Sequence, residues 1–264
     1  MATTGIAPRA PYELQPPELI RGGVLSVATV VDVTGHELLG VEAATDACAE
    51  AREWDQWCTV TGEEEKWFDE SPEWVSGDPF AVYAGVECDM QTMEEGKARA
   101  ARRLAYAENR AVDFHVYTML TAGTEIDVID LGGSVPIPSG IGAAEAWAAT
   151  VYGGVPTLLI PRLVVECACS CGGLLPKLDG TLTTCAGSDA APFSTPVTIP
   201  FDQTSEATMF VTGHITLLRG PVMTFSVPSM VETDGTTHPP RALAERIYVP
   251  VFDCLVGKLE VNCG

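Results

Sequence analysis

The chain has 264 residues, 46% of them hydrophobic, and a formal net charge of -21. That length and hydrophobicity allow one large or two modest buried cores, which excludes an intrinsically disordered protein. The excess negative charge would repel nucleic acid and anionic membranes, so we expect protein partners and no membrane contact.

The N-terminal residues 1–22 are rich in proline, at positions 8, 11, 16 and 17, and show no hydrophobic period. Such a segment predicts an extended arm with no packing of its own, which must lie on another surface. It lacks the charged and apolar regions of a signal peptide, so we expect the chain to be made in a cytoplasm and not exported by that route. The next stretches predict a strand over 23–33 and a short helix over 42–57.

The acidic charge is concentrated in residues 50–95, which hold fourteen Asp and Glu residues against only Arg52 and Lys66. Within this stretch, residues 66–68 (KWF) and 73–75 (EWV) flank the turn-forming pair Ser71-Pro72, a pattern typical of a long hairpin. A charged hairpin carrying aromatic residues indicates an interaction arm. The contact candidates on it are Glu63, Glu64, Glu65, Lys66 and Trp67.

One long amphipathic helix is predicted between residues 89 and 121, beginning at Asp89 or at the capping box of Thr92 and Glu95, and ending near Gly123. Its length of about 30 residues corresponds to about 45 Å. At 100° per residue one face is apolar and includes Leu104, Ala105, Val112 and Val116. The opposite face is a basic strip, and it also includes Asp113. The contact candidates on this strip are Arg99, Arg103 and Arg110.

After this helix the pattern predicts a strand over 125–131 and a second helix, capped by Ser139 and closed by Gly153-Gly154. Beyond Val155 the helical pattern stops, and the remaining elements are predicted to be strands. These strands are 157–168, 195–201, 208–218, 222–227 and 246–256.

Cysteines give the strongest pattern typical of a metal site, because Cys167, Cys169, Cys171 and the later Cys185 could supply four thiolates to zinc. However, alternate positions on a strand place three sulfurs in one row, unlike the usual C-x₂₋₄-C spacing on a turn. We expect a buried strand face here, with zinc or a disulfide as alternatives, and most of the nine cysteines reduced.

Other motifs point to no chemistry. Gly140-x-Gly142 opens a predicted helix but lacks the third small residue of a dinucleotide fingerprint, so the glycines are assigned to the helix entry. His36-Glu37 lacks the second histidine of a zinc-protease motif. His115 on the apolar face is expected to be a hydrogen-bonded core residue. No catalytic residue, cofactor or metal is therefore predicted.

The order of arm, charged hairpin, long helix, second helix and β-rich region resembles the major capsid protein of tailed bacteriophages. Its Hong Kong 97-type fold is shared with encapsulin shell proteins. The segments that carry the resemblance are 78–83 (DPFAVY), 143–147 (AAEAW) with 152–156 (YGGVP), 211–220 (VTGHITLLRG) and 242–249 (ALAERIYV).

The resemblance implies an α+β fold divided into an N-terminal arm (1–38), an extended loop (39–88), a peripheral domain with the spine helix (89–155), a β-rich axial domain (156–228) and return strands (229–264). It implies no catalytic residues. It also implies self-assembly, through pentamers and hexamers, into an icosahedral virion shell around double-stranded DNA in the host cytoplasm. Scaffold, portal and decoration proteins are further candidate partners, and the hairpin and basic strip become candidate intersubunit contacts.

Three alternatives stay open at this point. An encapsulin-like compartment shell has the same fold and an enzyme cargo. A cysteine-ligated metalloprotein or redox enzyme would use the four cysteines named above. A tail or decoration protein is a third option, which the long helix between two mixed regions fits poorly.

Overall fold

Two large β-sheets and four α-helices form the fold in the residues that the computed structural model describes. Those residues are 17–49, 73–87, 92–124, 126–170, 173–177, 181–195, 206–231 and 237–264. The helices are α1 Val24–Val27, α2 Met93–Ala122, α3 Ile137–Val151 and α4 Arg162–Ser170, with a 3-10 turn at His36–Leu39. The strands in chain order are β1 Thr29–Asp32, β2 Val41–Thr45, β3 Glu73–Gly77, β4 Phe80–Glu87, β5 Ile129–Asp130, β6 Val135–Pro136, β7 Thr157–Pro161, β8 Leu174–Pro176, β9 Leu182–Thr184, β10 Asp189–Phe193, β11 Ala207–Thr212, β12 Ile215–Arg219, β13 Met223–Val227, β14 Met230–Val231, β15 Thr237–His238, β16 Arg241–Phe252 and β17 Val256–Asn262.

The first sheet is organised around the 12-residue strand β16. Strands β12 and β13 pair with one edge of β16, β4 pairs with the other edge, and β1 extends the sheet beyond β12. Helix α2 lies across this sheet and buries Leu104, Val112 and Val116 against it. The buried partners on the sheet include Val82 and Tyr248. This packing explains why a helix of 30 residues is stable, since most helical stability in proteins comes from a buried face.

The second sheet contains β5, β17, β11, β7, β10, β9 and β8 in that order, with β6 also paired to β17. Helices α3 and α4 pack on it around a separate buried cluster that includes Ile141, Leu158 and Val164. Gly140 lets α3 approach β17 closely, because a Cβ there would lie 2.8 Å from Cγ1 of Val261. The predicted role of this glycine at the helix entry is thus replaced by a packing role within the helix.

The chain passes between the two sheets at two adjacent crossovers. One is Gly213-His214, between β11 and β12, and the other is residues 253–255, between β16 and β17. The crossovers are hydrogen bonded to each other, from the amide of Gly213 to the carbonyl of Leu255 (2.8 Å) and from the amide of Asp253 to the carbonyl of His214 (3.0 Å). The single strand predicted over 208–218 is therefore wrong, because its two halves belong to different sheets.

The boundaries of α2 agree closely with those expected from its sequence. Thr92 is the N-cap, and its hydroxyl and the Glu95 carboxylate form the reciprocal bonds of a capping box. Gly123 ends the helix in the left-handed conformation, at φ 59°, which favours glycine. Asp89 lies outside the described residues. Among the described residues, no helix is both long enough and apolar enough to cross a membrane.

Several other predicted elements differ from the structure, among them the strand over 246–256, which is divided between β16, the crossover at 253–255 and β17. Residues 162–168 continue as helix α4 rather than as a strand, because Val164 and Ala168 are buried four residues apart on one helical face. Residues 42–45 form β2, whose backbone pairs with β3, instead of a helix. The stretch 23–33 splits into α1 and β1. Helix α3 begins at Ile137, two residues before Ser139, because Pro138 fits the first turn, where no amide donor is needed.

Candidate intersubunit surface

The predicted basic strip lies on the surface of α2. Arg99, Arg103 and Arg110 are all exposed, as the helical period predicted. Within the described part of the chain, Arg99 and Arg110 make no ion pair, so their charges are unneutralised there. The nearby Lys97 is paired with Glu94 one turn earlier, at 3.1 Å. The strip can therefore offer two unpaired guanidinium groups to a partner.

Arg103 differs from the other two, because its Nη1 donates to the carbonyl of Gly85 on β4 at 2.8 Å. This bond ties the middle of the strip to the first sheet of the same chain. Arg103 thus has a role within the subunit that the sequence did not indicate, and fewer of its donors are left for a second copy.

The acidic half of the predicted contact, Glu63, Glu64, Glu65, Lys66 and Trp67, lies outside the described residues. The structure does describe its root, where β2 and β3 pair antiparallel from Val41 opposite Gly77 to Thr45 opposite Glu73. The predicted pairing partner of 73–75 was 66–68, whereas the described partner is 43–45. Trp74 is 64% exposed beside this root.

The root is fixed to the rest of the subunit by close packing and by polar bonds. A Cβ at Gly77 would lie 2.6 Å from the carbonyl oxygen of Pro250 on β16, so only glycine allows this approach. At the other strand, the Thr45 hydroxyl donates to the Asp253 carboxylate. The carbonyl of Ala47 accepts from the amide of Gly153 at 2.8 Å. The segment after β2 therefore starts from a defined position at the crossovers.

A clasp of side chains on α2 holds the N-terminal segment. Asn109 Nδ2 donates to the carbonyls of Ile20 (3.0 Å) and Gly22 (2.8 Å). The Asp113 carboxylate accepts from the amides of Val24 (2.8 Å) and Ser194 (2.9 Å). The arm predicted over residues 1–22 was expected to lie on another surface, and its end, at Ile20 and Gly22, lies on α2 of the same subunit. Sequence reasoning placed Asp113 on the exposed face, whereas it is fully buried.

Gly23 and Arg162 complete the clasp. Gly23 has φ 84°, and a Cβ there would lie 2.6 Å from carboxylate oxygen Oδ1 of Asp113, so both conformation and space require glycine. Arg162 at the start of α4 donates from Nη2 to the carbonyl of Arg21 at 2.6 Å. Burial raises the pKa of Asp113, and its hydrogen bonds and the Arg162 charge oppose that change.

A second buried group, between α2 and β16, fixes the helix against the first sheet. Glu108 accepts from Arg246 Nη1 at 2.8 Å and from the Tyr248 hydroxyl at 2.6 Å. The Arg246 and Glu108 side chains are only 19% and 16% exposed, so this pair is well shielded from water. Burial first, and then the bond to Glu108, raise the pKa of Tyr248 above its ordinary value. The apolar face of α2 thus contains Glu108 as a paired residue.

For two further residues of α2, one prediction of burial agrees with the structure and the other does not. His115 is partly buried, as expected of a core histidine, and its ring stacks on Phe80 with centroids 3.7 Å apart. Ala105 was predicted on the apolar face, whereas it is exposed beside Tyr106. The buried face is therefore rotated from the predicted one, towards Asp113.

Four cysteines of the described residues form disulfides, and one of them, Cys167, belongs to the predicted reduced row. Cys48 is bonded to Cys254, and Cys167 is bonded to Cys263. Cys167 and Cys169 lie on helix α4, so the row on one strand face does not exist. Cys169 is not disulfide bonded, and Cys171 lies outside the described residues. Because the sulfur of Cys167 is already bonded, the metalloprotein alternative loses a required ligand.

One other group could in principle hold a metal. In the described ranges, the sulfurs of Cys48 and Cys254 and a carboxylate oxygen of Glu73 lie within 4.8 Å of one another. Metal binding by cysteine requires thiolates, and these two sulfurs are bonded to each other. The oxidised protein therefore has no thiolate to offer at this position.

Comparison with known proteins identifies the fold. The sequence matches no protein-family model and no curated protein. The capsid of an empty GTA particle is 11% identical with a TM-score of 0.52, and the match covers 97% of this chain and 95% of that one. The capsid of Ralstonia phage GP4 is 10% identical with a TM-score of 0.50, over 96% and 94% of the two chains. This chain has a phage capsid fold.

A structure from Mycobacterium phage Ogopogo is also similar, at 14% identity and a TM-score of 0.52, over 96% of this chain and 97% of that one. The α+β class and the capsid fold predicted from the sequence are thus confirmed. At these identities the arrangement of elements carries the likeness, since few residues are shared. The matches cover 96–97% of this chain.

Proposed function

We propose that the chain is the major capsid protein of a tailed bacteriophage, assembled in many copies into an icosahedral shell around a double-stranded DNA genome. The observation that carries this proposal is the coverage of the capsid fold: the match spans at least 94% of the capsid chains compared and at least 96% of this one. The location is the virion, after assembly in the host cytoplasm.

We also propose how neighbouring copies meet. The acidic residues Glu63, Glu64 and Glu65 of one copy, with Lys66 and Trp67, contact the basic strip of α2 on the next. Two observations support this contact. The strip has two exposed and unneutralised guanidinium groups within the described ranges, and the root of the acidic segment is held firmly at the crossovers. Each exposed pair contributes only about 0.2–1 kcal/mol, but a shell repeats it at every contact.

The two sheets suggest a division of labour within the subunit. We propose that the first sheet with α2 forms the peripheral domain and the second sheet with α3 and α4 forms the axial domain. Strands β12 and β13, within the 156–228 stretch, pair with β16 in the first sheet. The expected arm (1–38), extended loop (39–88) and return strands (229–264) each contribute a strand to the first sheet, namely β1, β4 and β16.

The remaining partners follow from charge and from the shell. A net charge of -21 keeps subunits from gripping packaged DNA, which must leave the particle again. Scaffold, portal and decoration proteins are proposed as further partners.

Sedimentation velocity of the purified protein tests the function. We expect most of the mass in particles or capsomer rings far heavier than one 28.0 kDa chain. A single 28.0 kDa species at every concentration would contradict the proposal. DNA inside native particles fits a virion, whereas an enzyme cargo would favour an encapsulin-like compartment.

Charge reversal tests the proposed contact. Arg99→Glu with Arg110→Glu should leave the subunit folded, because both side chains are exposed, and should slow assembly through like-charge repulsion. Converting Glu63, Glu64 and Glu65 to Lys in that background should restore part of the rate. Lys177→Glu, an exposed reversal beside the second sheet, is the control. Unchanged assembly rate and salt dependence in the double variant would refute the contact.

A further inference from the structure

The C-terminal strand β17 is covalently attached at both of its ends. Cys254 lies two residues before β17 begins, and Cys263 directly follows its last residue. Their bonds to Cys48 and Cys167 join Cα atoms 6.0 Å and 5.5 Å apart, within the range of ordinary disulfides. β17 pairs with β11, β5 and β6, so it is an interior strand of the second sheet. Two bridges therefore fasten one strand that already organises a sheet.

The two bridges connect β17 to different parts of the subunit. Cys48 follows β2, at the root of the proposed interaction arm, and Cys254 lies in the crossover that joins the two sheets. The first bridge therefore fixes the arm's root to both sheets. Cys167 lies in α4, so the second bridge fixes a helix of the second sheet to the end of the chain.

Small molecules can reach both bridges. Cys48, Cys254 and Cys167 are partly buried and Cys263 is exposed. Thiol–disulfide exchange requires such access, and fully buried disulfides are inert to it. Cytoplasmic proteins normally keep their cysteines reduced, whereas disulfides persist outside the cell. A chain that is made in a cytoplasm and later released in a virion, as the proposed function implies, meets both redox conditions.

Polar contacts next to the first bridge do not depend on it. Asp253 accepts from the Thr45 hydroxyl, and its other oxygen accepts from the Tyr152 hydroxyl at 3.1 Å. Tyr152 in turn accepts from the amide of His214 at 2.8 Å. These bonds join the segments that carry Cys48 and Cys254 without involving either sulfur. The fold can therefore form without the bridge, and the pair is positioned to close again on oxidation.

We propose that the two disulfides are a redox-controlled lock on β17, open while the chain is made and closed after it leaves the reducing compartment. In closing, a thiolate of each pair attacks a small-molecule disulfide such as oxidised glutathione, and the second thiolate displaces the bound thiol. One protein S–S bond forms, the small disulfide is reduced to two thiols, and the two protons from the cysteines end on them. When both disulfides are reduced, the β2–β3 root and α4 can shift relative to β17. When both disulfides are formed, these elements are fixed to β17.

The consequence for a shell rests on the proposed function: a pliable subunit during assembly and a stiffer one in the finished particle. The lock itself is a property of the single chain. An experiment on the subunit therefore separates failure of the lock from failure of the capsid proposal.

The test begins with the unmodified protein, treated with oxidised glutathione or with a phosphine reductant. Peptide mapping of the oxidised sample should find Cys48 joined to Cys254 and Cys167 joined to Cys263. Its melting temperature should exceed that of the reduced sample by about 5–15 °C, and re-oxidation should restore it. Thiols that stay open in oxidised glutathione, or equal melting temperatures, would overturn the proposal. So would zinc retained by the reduced protein through Cys48, Cys254 and Glu73.

Variants then assign the effect to each bridge. Cys48→Ser and Cys254→Ser should each lose part of the redox-dependent shift, and the double variant should lose no more than either alone. Cys263→Ser should lose the other part. Cys169→Ser, which removes a thiol outside both bridges, should keep the full shift and is the matched control. Large particles whose melting temperature is the same in oxidised and reduced samples would refute the redox-controlled lock but not the capsid proposal. A monomer whose melting temperature depends on redox state would refute the capsid proposal but not the lock.

Discussion

Removing the Asp113 carboxylate should release the N-terminal segment from α2. Asp113 is fully buried and accepts the amides of Val24 and Ser194, which come from two different elements. In Asp113→Ala both amides lose their acceptor in a site that excludes water. The change therefore acts on the whole fold and on the local attachment of residues 17–27.

The two effects have different sizes. Each orphaned buried amide costs about 1–3 kcal/mol, and removing a carboxylate that is itself unfavourably buried offsets part of that cost. We expect the free energy of unfolding to fall by about 2–4 kcal/mol. When only the N-terminal segment opens, the bond to Val24 breaks and the bond to Ser194 does not. The free energy of that local opening should therefore fall by about 1–3 kcal/mol.

Trypsin cleavage after Arg21 measures the local opening, because the carbonyl of Arg21 is bonded to Arg162 in the closed state. If local opening is fast relative to cleavage, the cleavage rate is proportional to the population of the open state. A fall of about 1–3 kcal/mol in the free energy of opening then corresponds to about 5- to 150-fold faster release of the fragment that starts at Gly22. Urea denaturation measures the global loss. Asp127→Ala, which removes an exposed carboxylate near the end of α2, should change the cleavage rate by less than about 3-fold. An Asp113→Ala rate within that range would refute the clasp.

Two further predictions concern the buried carboxylates of Glu108 and Asp113. In a urea titration, Glu108→Ala should lower the free energy of unfolding by about 3–5 kcal/mol, because it leaves the shielded Arg246 charge unpaired. Glu94→Ala, on the exposed face of the same helix, is the control and should change that free energy by less than about 1 kcal/mol. Burial raises the pKa of Asp113 above its ordinary 3.8, so the folded state binds this proton more tightly than the unfolded chain does. The stability that results from this proton is fully present below pH 3.8 and is lost as the pH rises through the raised pKa. The stability difference between the unmodified protein and Asp113→Asn should therefore grow as the pH falls towards 3.8, and a difference that shrinks or stays constant would contradict the assignment.

The long helix was predictable because its signals are local. Thr92, Glu95 and Gly123 mark its ends within a few residues of chain, and the apolar period between them continues without a break. The order of elements then predicted the fold class. Local patterns of this kind survive even when, as here, similar folds share only 10–14% of their residues.

The clasp was not predictable, because it depends on a contact between distant residues. Asp113 and Val24 are 89 positions apart, and the helical period alone places Asp113 on the exposed side. It becomes buried because the N-terminal segment returns across that side of α2. The one local indication was the pair Gly22-Gly23, whose positive φ angles mark a special turn.

The crossovers and the disulfides could not be predicted from the sequence, for related reasons. Apolar and β-branched residues flank Gly213-His214 on both sides within 208–218, so the pattern indicates one strand. The change of sheet depends on the bond from the amide of Gly213 to the carbonyl of Leu255. Bridges that span 206 and 96 positions leave no mark in local cysteine spacing. The close spacing of Cys167, Cys169 and Cys171 indicated that these cysteines act together, whereas Cys167 is bonded to Cys263.

Electron microscopy of the purified protein shows whether copies of this chain build a closed shell. We expect closed, uniform shells whose walls consist of this chain alone, or capsomer rings that close into such shells as concentration rises. Folded protein that shows only separate compact monomers, at concentrations and salt conditions across the range that supports phage assembly, would contradict this expectation.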